Sequence, residues 1–442
     1  MAGKIHSITS AVLKKINPDD EEIKKVSNHA RKFSNLLESS IKKNKIKAEV
    51  FVGGSVAKET IIKSERYDID LFIRFIDEKE DMKVSQMTEK ILRELVKPSD
   101  LRRVKGSRDY FSIEIEKNIV IEVIPVVKIS RPENSNNVTD LSYFHVNYVK
   151  KKIKNKKLRD EIRLIKAFCQ AQKCYGAEGY IKGFSGYSLE LLAIYYKSFE
   201  KFIKAIAFDP GSSDKKKIII DIEKKFKNKQ GIFMDINSSK LQSPIILIDP
   251  TYKQRNALAG LSEETFSSFK EVCQKFLKKP DVSYFTEKKK DINKVREKAT
   301  ANGYEFILIE AHTDRQEGDI AGTKLFKFYN FLSKEIEKYF KIKDRGFNYN
   351  NQKAARYYLV AEGKKEIIFR GPKAKDKNNG SDFKKAHGKT EEKNGVLYAR
   401  ERIDFTINEF INEWKNKNKT QMNEMGITSL RIIEDIRDRN VF

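Results

Sequence analysis

The sequence predicts a multidomain protein of the α+β class, and three observations support this fold. At 442 residues the chain is too long for one ordinary hydrophobic core. Strand-like segments cluster between residues 48 and 127, whereas a helical pattern runs through roughly the next hundred residues from 143 onward. Strands and helices then alternate through the last third of the chain. The apolar fraction of 39% is sufficient for several packed domains.

The first third contains the clearest strand signals. An acidic run at 19–22 follows Pro18 and predicts the start of a helix, because carboxylates favour a helix N-terminus. The residue pattern predicts four strands, at 48–52, 67–75, 110–118 and 119–127. A Gly-Gly-Ser turn that leads into a helix connects the first two strands. Pro125 suggests that the fourth strand ends there or lies at a sheet edge.

The rest of the chain has a coarser pattern. Helical spacing of apolar residues predicts helices at 159–172 and 183–199. For the last third we expect a strand at 304–311, a helix at 323–340, a strand pair within 355–371, a basic loop at 371–389, a strand at 395–403 and a closing helix at 428–437.

The charge balance favours a polyanionic partner. The chain has 89 Lys and Arg against 63 Asp and Glu, a net charge of +26, and such a surplus repels itself unless a polyanion offsets it. The alternative explanation of the positive charge is that the organism uses lysine often, and that these lysines lie on ordinary solvent-exposed surfaces. No apolar run reaches the ~18 residues of a spanning helix. The start has no secretory leader, and the three cysteines form no CxxC pair. We therefore expect a cytoplasmic protein without a membrane partner.

Three carboxylates lie in otherwise apolar strands. Asp68 and Asp70 are two residues apart, so both project from the same face of a strand. Glu122 interrupts the most hydrophobic strand of the chain, where a lone carboxylate is costly unless it is paired or metal-bound. If the two strands are neighbours, the carboxylates form one set of oxygen ligands. The alternative is that they lie on a surface strand and point to solvent.

The turn at Gly53-Gly54-Ser55 adds a phosphate-binding element. Glycine lets the backbone approach a ligand, and the N–H groups at a helix start attract phosphate. Ser55 adds a hydroxyl, and Lys58 follows on the first turns. Three carboxylates beside such a turn suit two Mg²⁺ ions. This combination predicts nucleotidyl transfer, in which a 3′-hydroxyl attacks the α-phosphate of a nucleoside triphosphate.

The order GGS…DID…IEV is similar to that of the polymerase β-like nucleotidyltransferase superfamily. Further blocks resemble the archaeal, class I CCA-adding enzymes: FHVNYV, RLIKAF, CYGAEGY, GFSGYSLELL, DPTYKQRNALAGLS and the late GPK…DFKKAH segment. The resemblance spans essentially the whole chain and is densest from 50 to 262. It implies template-independent addition of CCA to the 3′ end of tRNA from CTP and ATP, with two Mg²⁺ ions.

The resemblance also implies roles for individual residues. The metal-binding carboxylates fall on Asp68, Asp70 and Glu122, and the nucleotide-binding positions fall on Gly54, Ser55, Lys58, His145, Lys166, Tyr175 and Arg255. Among these, Arg255 matches an arginine near the incoming base. Two positions depart from the family pattern: Glu122 stands where Asp is usual, and Lys58 stands where Arg is common and loses the bidentate fork to phosphate.

By the same resemblance the chain has four parts. These are a nucleotidyltransferase head (1–148, a mixed sheet with helices), a helical neck (149–258), an RNA-recognition-like α/β body (259–316 and 405–442) and an α/β tail (317–404). The partner is tRNA, bound at its acceptor stem and elbow. Candidate RNA contacts are Lys288, Lys289, Arg370, Lys373, Lys384 and Lys385. The oligomeric state is left open, with a homodimer as one alternative.

Two other functions use the same features. A poly(A) polymerase or terminal uridylyltransferase shares the catalytic carboxylates but differs in base choice and does not stop after three additions. A catalytically silent RNA-binding protein on the same fold is the alternative from another class. Loss of a carboxylate would mark it, and all three positions here remain acidic.

Overall fold

The chain folds into two compact units, Met1–Lys288 and Lys289–Phe442. The computed structural model describes residues 2–106, 108–208 and 217–434. Within these ranges no helix is both long enough and apolar enough to cross a membrane. Each unit combines sheets with helices, which confirms the predicted multidomain α+β class. The four-part division into head, neck, body and tail stays a prediction.

The first unit begins with a five-stranded mixed sheet. Its elements are α1 (Ala2–Ile16), α2 (Asp20–Lys43), β1 (Ala48–Val52), α3 (Gly54–Ala57), β2 (Tyr67–Phe75), α4 (Asp81–Leu95), β3 (Leu101–Val104), β4 (Tyr110–Glu116) and β5 (Ile119–Val127). The strand order is β1-β2-β5-β4-β3, in which only the β2–β5 pair is parallel. The acidic run does begin a helix, because Asp19 and Glu22 form a capping box at the start of α2.

One face of this sheet is covered and the other carries polar groups. The covered face packs apolar residues of β2, β4 and β5 against α2 and α4. In the first part of β2 the buried Tyr67, Ile69 and Leu71 alternate with Asp68 and Asp70 on the opposite face, whereas all residues from Leu71 to Phe75 are buried. Alternation therefore leaves the aspartates on the side of the strand opposite to the core at the start of β2.

The prediction that Pro125 ends β5 or marks an edge is wrong. β5 lies in the middle of the sheet and continues to Val127. The ladder between β4 and β5 ends at the pair Phe111–Val123, so Pro125 has no β4 partner whose hydrogen bond it could remove. A central strand tolerates proline where its neighbour is shorter.

The second half of this unit is mainly helical. Its elements are α5 (Ser142–Lys152), α6 (Lys156–Ala171), α7 (Gly186–Tyr196), α8 (Phe199–Ala207), β6 (Ile218–Ile220), α9 (Lys229–Asp235), β7 (Ile245–Leu247) and α10 (Glu263–Lys278). α1, α6, α7, α8 and α10 share one core. The three cysteines, Cys169, Cys174 and Cys273, are all buried in it as free thiols. Burial raises the pKa of the Cys169 and Cys273 thiols well above the usual value.

The second unit contains two further sheets. Its elements are α11 (Ile292–Ala301), β8 (Glu305–His312), α12 (Asp319–Glu337), β9 (Phe340–Tyr349), β10 (Ala354–Gly363), β11 (Glu366–Lys373), α13 (Lys377–His387), β12 (Thr390–Lys393), β13 (Val396–Arg402), α14 (Ile407–Lys417), α15 (Lys419–Glu424) and β14 (Ser429–Ile432). An antiparallel sheet in the order β14-β8-β10-β9 packs one face on α12, α14 and α15 and the other on α11. A smaller sheet, β11-β13-β12, lies against α13.

Three predictions for this unit are wrong. β10 does not pair with β11: it pairs with β8 and β9, while β11 pairs with β13. The segment expected to be a basic loop contains α13, whose start is capped by Asp376 and whose Phe383 packs beside Gly371. The expected closing helix is strand β14 over Ser429–Ile432, paired with β8; residues 435–437 of that prediction lie outside the described residues.

The fluorescence of a single tryptophan reports on the stability of the second unit. Trp414 is the single tryptophan of the sequence, and its ring lies 6.2 Å from that of the fully buried Phe328. Phe328→Ala should lower the free energy of unfolding of this unit by about 3–5 kcal/mol, because a large cavity replaces the ring. Trp414 fluorescence in a urea titration measures the change. Ile368→Ala is the control, since that side chain is 54% exposed; equal midpoints for both variants would contradict this account of the core.

Candidate active site

The carboxylates of β2 and β5 face the same cavity. The parallel β2–β5 ladder places Asp70 directly opposite Glu122, which confirms that the two strands are neighbours. Partners in adjacent strands project from the same face, so both side chains emerge on the polar side of the sheet. Asp68, Asp70 and Glu122 all line a cavity of about 590 Å³. The structure thus brings the three predicted carboxylates together.

The electrostatics of this cavity favour a cation. Burial raises the pKa of Asp70 to about 6 and that of Glu122 to about 8. Repulsion from Asp70 and Asp68 raises the pKa of Glu122 further, whereas Lys58 partly offsets the effect on Asp70. Crowded carboxylate oxygens that resist ionisation are stabilised by a hard divalent cation, which prefers oxygen ligands.

The carboxylates fit a divalent metal by their chemistry, but they are not already arranged as a complete ligand set. In the part of the chain that the structure describes, no group of three or more His, Cys, Asp or Glu side chains is placed to hold a metal ion. Asp68 is 56% exposed and accepts a hydrogen bond from Arg66 at 3.3 Å. Asp68 nevertheless lines the same cavity as Asp70 and Glu122.

The Gly53-Gly54-Ser55 turn lies directly against Asp70. The Gly53 N–H donates to the Asp70 carbonyl at 2.8 Å, which fixes the turn to β2. Gly54 has φ +57°, and a Cβ at this position would lie 1.6 Å from Oδ2 of Asp70. Only glycine allows both the left-handed backbone and this close approach. Gly54 and Ser55 line the same cavity as the carboxylates, as the sequence predicted for a phosphate-binding turn.

A buried acid that the sequence analysis missed holds the two lysines of the cavity in place; these lysines, Lys58 and Lys166, form its cationic wall. Glu190, on α7, is fully buried and accepts from Lys58 at 2.6 Å and from Lys166 at 2.7 Å. Thr60 donates to the same carboxylate at 3.1 Å. Burial by itself raises the pKa of Glu190, but the two ammonium groups outweigh it and lower the pKa to about 2. The cluster carries a net charge of +1 beside the carboxylates.

Arg163 holds the backbone next to this cationic wall. Its guanidinium donates to the carbonyls of Glu59 and Ile61, at 2.9 and 2.8 Å, and pairs with Asp160 at 3.0 Å. It thereby braces the segment that carries Lys58 and Thr60. Its donors are used by backbone carbonyls and by Asp160, and Arg163 does not line the cavity.

Tyr175 lines the cavity next to the start of α7, where it closely approaches the backbone of Gly186. A Cβ on Gly186 would lie 2.7 Å from the Tyr175 hydroxyl, so the glycine makes room for the ring. Backbone hydrogen bonds between Cys174 and Phe184 and between Gly176 and Phe184 hold the Tyr175 segment beside the start of α7. Burial raises the pKa of Tyr175 above its usual range, so the phenol stays protonated and is able to donate.

A second buried acid, which the sequence analysis also missed, contacts both His145 and Arg255. The Asp249 carboxylate accepts from Arg255 at 2.7 Å and from the Tyr187 hydroxyl at 3.0 Å, and it lies 2.9 Å from Nε2 of His145. The His145 ring stacks on Tyr187 at 4.0 Å. Burial opposes ionisation of Asp249, but its partners hold its pKa well below the usual range. Burial also lowers the pKa of His145, which favours a neutral ring that donates Nε2–H to Asp249.

This cluster adjoins the cavity through Tyr187, which lines it. The predicted nucleotide-binding residues therefore fall into two neighbouring groups. Gly54, Ser55, Lys58, Lys166 and Tyr175 line the cavity directly, while His145 and Arg255 contact its wall through Tyr187. Glu190 was detectable as a lone carboxylate in an apolar helix, the same signal that singled out Glu122.

The predicted RNA contacts lie elsewhere. Lys288 and Lys289 are exposed at the end of the first unit and the start of the second. Arg370 and Lys373 are exposed on β11, and Lys384 and Lys385 are exposed in the last turn of α13. None of these six residues lines the carboxylate cavity.

Comparison with known proteins shows which enzymes the chain resembles. A family model described as "tRNA nucleotidyltransferase, second domain" matches residues 160–286. The CCA-adding enzyme of Methanocaldococcus jannaschii is 28% identical over 407 residues, which cover 89% of this chain and 87% of that protein. The resemblance to archaeal CCA-adding enzymes that the sequence predicted is confirmed. The CCA-adding enzyme of Nanoarchaeum equitans is 40% identical over 219 residues, about half of either protein (50% of this chain, 53% of the relative).

Solved structures show weaker similarity. The Escherichia coli MS115-1 CdnC structure with ATP has a TM-score of 0.46 and 13% identity, covering 64% of this chain and 94% of that one. A Cid1 poly(U) polymerase structure has a TM-score of 0.48 and 13% identity, covering 64% and 98%. Similarities of this size carry no information about activity.

The Glu190 cluster generates a stability prediction. Glu190→Gln should lower the free energy of unfolding by about 3–5 kcal/mol at neutral pH, because two buried ammonium groups lose their counter-charge. In the wild type the Glu190 pKa falls from 4.5 to about 2 on folding, so its contribution is present above pH 4.5 and is lost as the pH falls toward 2. Urea denaturation followed by circular dichroism at several pH values measures both effects.

The matched control is Glu200→Gln, because Glu200 forms an exposed pair with Lys204 at 2.6 Å on the neighbouring helix α8. This variant should change the stability by less than about 1 kcal/mol. An equal loss in both variants, or an acid dependence that persists unchanged in Glu190→Gln, would contradict the assigned role of the buried carboxylate.

Proposed function

We propose that this chain adds CCA to the 3′ end of tRNA, using CTP and ATP, without a nucleic-acid template. One observation carries the proposal: Asp70 and Glu122 stand opposite each other in the β2–β5 ladder, in one cavity with the Gly54-Ser55 turn and two lysines. This is the arrangement that nucleotidyl transfer requires, with acidic groups at the reacting phosphate and cationic groups at the departing one. Similarity to archaeal CCA-adding enzymes over most of the chain supports the choice of substrate.

In this proposal Asp68, Asp70 and Glu122 hold two Mg²⁺ ions. When bound, these ions lower the pKa of the attacking 3′-hydroxyl and stabilise charge on the pyrophosphate. The Gly54-Ser55 turn approaches the triphosphate with its backbone and the Ser55 hydroxyl. Lys58 and Lys166, preset by Glu190, neutralise charge that develops on the leaving group. Burial of this cluster strengthens the electrostatic effect.

The Asp249 cluster is proposed to position the nucleotide base and sugar. Asp249 fixes the Arg255 guanidinium at 2.7 Å and the Tyr187 hydroxyl at 3.0 Å, so neither donor needs to be ordered when a nucleotide binds. Arg255 presents a planar set of donors suited to the polar edge of a base. His145, stacked on Tyr187, completes the rigid surface. The preference for C over A is assigned to this surface together with the RNA.

The tRNA is proposed to bind through its acceptor stem and elbow. The acceptor end must reach the carboxylates of the head (1–148), while the neck (149–258) holds the nucleotide. The exposed Arg370, Lys373, Lys384 and Lys385 are proposed to contact the RNA backbone from the tail (317–404). The body (259–316 and 405–442) completes the proposed division. Lys288 and Lys289 are proposed as further phosphate contacts, which give sequence-independent, salt-dependent binding.

Primer extension tests this function. A tRNA transcript that lacks its CCA should gain C, C and A and then stop, in the presence of Mg²⁺, CTP and ATP, when the products are separated on a sequencing gel. Asp70→Asn should lower the rate by at least about a thousandfold, because it removes a central ligand charge. Asp109→Asn is the control, since this half-buried carboxylate pairs with Arg103 and does not line the cavity.

Other products would redirect the assignment. A long ladder of A would indicate a poly(A) polymerase, and a ladder of U would indicate a terminal uridylyltransferase. Tight tRNA binding without any product, together with an absence of metal-dependent CTP or ATP binding, would indicate a silent RNA-binding protein.

The Asp249 cluster gives a test of base choice. Asp249→Asn should reproduce the phenotype of Arg255→Gln, because the arginine loses the group that orients it. Both variants should raise the KM for CTP and ATP by about tenfold and reduce discrimination against UTP. Single-nucleotide incorporation at varied CTP, ATP and UTP concentrations measures the effect. Lys253→Gln, which removes a surface pair with Asp235 and a contact with the Phe226 ring, should leave these values unchanged. Different phenotypes for Asp249→Asn and Arg255→Gln would separate the two residues.

A further inference from the structure

The carboxylate cavity contains one acid besides Glu190 and the three carboxylates of β2 and β5. Glu178 lies in the segment between α6 and α7 and lines the cavity together with Tyr175. Gly176 makes room for its side chain, because a Cβ at that position would lie 2.1 Å from Oε2 of Glu178. Gly176 also has φ +128°, a backbone conformation that favours glycine. A glycine at this position therefore allows the Glu178 carboxylate to lie where it does.

Backbone hydrogen bonds hold the Glu178 segment in place. The Gly176 N–H donates to the Phe184 carbonyl at 2.8 Å, which ties the segment to the residues just before α7. The N–H groups of Ile181 and Lys182 both donate to the Glu178 carbonyl, at 2.9 and 2.8 Å. Glu178 thus begins a closed turn, and a side chain on such a turn needs little ordering of the backbone when a ligand binds.

The charge of Glu178 acts close to the reacting centre. Burial and the negative charges of Glu122, Asp68 and Glu178 raise the pKa of Tyr110 to about 12. Tyr110 lies on β4, which neighbours β5. Burial and nearby carboxylates that include Glu178 also raise the pKa of Tyr175 above its usual range. Glu178 is therefore within electrostatic range of both the Tyr175 segment and the strand next to the Glu122 strand.

The proposed function determines where the sugar of the incoming nucleotide lies. A ribose joins the α-phosphate to the base, so it lies between the cationic wall and the Asp249 cluster. Tyr187 of that cluster lines the cavity, and the Tyr175 hydroxyl lies against the neighbouring Gly186. The segment that carries Tyr175 and Glu178 therefore borders the path from the triphosphate to the base.

The chemistry of a carboxylate limits which part of the nucleotide Glu178 contacts. An ionised carboxylate repels phosphate oxygens and accepts hydrogen bonds without donating any. The ribose hydroxyls are neutral donors, and their hydrogen bonds to a carboxylate are charge-assisted. A carboxylate binds the ribose 2′-hydroxyl in this way in dinucleotide-binding folds. The 2′-hydroxyl is also the group that distinguishes a precursor of RNA from a precursor of DNA.

We infer that Glu178 accepts a hydrogen bond from the ribose 2′-hydroxyl of the incoming CTP or ATP, and that it thereby selects ribonucleotides over deoxyribonucleotides. The inference rests on the proposed function and adds a residue that determines its specificity. The acids of the cavity then have three different tasks. The carboxylates of β2 and β5 hold the metal ions, Glu190 orients the lysines, and Glu178 recognises the sugar.

The test compares CTP with 2′-deoxy-CTP in single-nucleotide incorporation by the full-length protein. The selectivity is kcat/KM for CTP divided by kcat/KM for 2′-deoxy-CTP. It should fall by about tenfold in Glu178→Gln, because a charge-assisted hydrogen bond to the hydroxyl becomes a neutral one. The kcat/KM for 2′-deoxy-CTP should change by less than about twofold, since this analogue lacks the bonded group.

Glu287→Gln is the matched control. Glu287 forms an exposed pair at 3.3 Å with Lys173, which lies just before the Glu178 segment. This variant makes the same change of charge near the same segment and should leave the selectivity unchanged. Thermal unfolding checks that each variant folds. If Glu178→Gln does not fold, Glu178→Asp keeps the charge but withdraws it by one methylene group, and it should lower the selectivity by a smaller factor.

The outcomes separate this inference from the proposed function. Failure of the wild type to extend the tRNA would overturn the function, whereas extension with the same selectivity in wild type and Glu178→Gln would overturn only the role of Glu178. An equal loss of kcat/KM for CTP and 2′-deoxy-CTP would also overturn it, since the side chain would then act on the phosphates or on the fold.

Two further measurements exclude other roles for Glu178. Electron paramagnetic resonance of bound Mn²⁺ should give the same affinity in wild type and Glu178→Gln; a weaker affinity in the variant would make Glu178 a metal ligand and overturn the inference. A tRNA whose last nucleotide is 2′-deoxy should be extended with the same ratio of variant to wild-type rates as the normal tRNA. A change of that ratio, without a change in the selectivity for CTP, would assign the contact to the RNA instead.

Discussion

The carboxylate of Glu190 ties together three segments that are distant along the chain. Lys58 and Thr60 come from the segment after the first turn of the sheet, Lys166 comes from α6, and Glu190 itself comes from α7. Because the charged groups are buried, each is stabilised by the opposite charge of its partners, and loss of a charged partner leaves an uncompensated buried charge. The sheet half and the helical half of the first unit are therefore held in one geometry at the point where they enclose the cavity.

Much of the fold follows from local pattern in the chain. Strands β1, β2, β4 and β5 are predictable because each is a short run rich in apolar residues, which pack in one core with α2 and α4. The errors arise where tertiary context decides. Pro125 is tolerated because β4 is short at that point, and β11 joins a sheet whose other strands lie later in the chain. In α13, a polar composition hides a helix that is stabilised by its cap and one aromatic contact.

The acidic residues of the metal site could be predicted from the sequence, whereas most of the contacts that position the other site residues could not. Asp70 and Glu122 are detectable because a carboxylate in an apolar strand requires a partner, and strand pairing then brings them together. Asp249 has no such signal, since a DP pair before a turn is common and its four partners come from three different segments. The left-handed Gly54 was expected at a turn, but its contact with Asp70 depends on the tertiary fold.

The burial of all three cysteines has a practical consequence for studying how the protein moves. Cys169, Cys174 and Cys273 lie in the helical core, and the raised pKa of Cys169 and Cys273 keeps those thiols in the unreactive protonated form. The native chain is therefore a quiet background for site-directed labelling. A single cysteine introduced on exposed α13, paired with one on the first unit, would carry fluorophores for distance measurements while the natural thiols remain untouched.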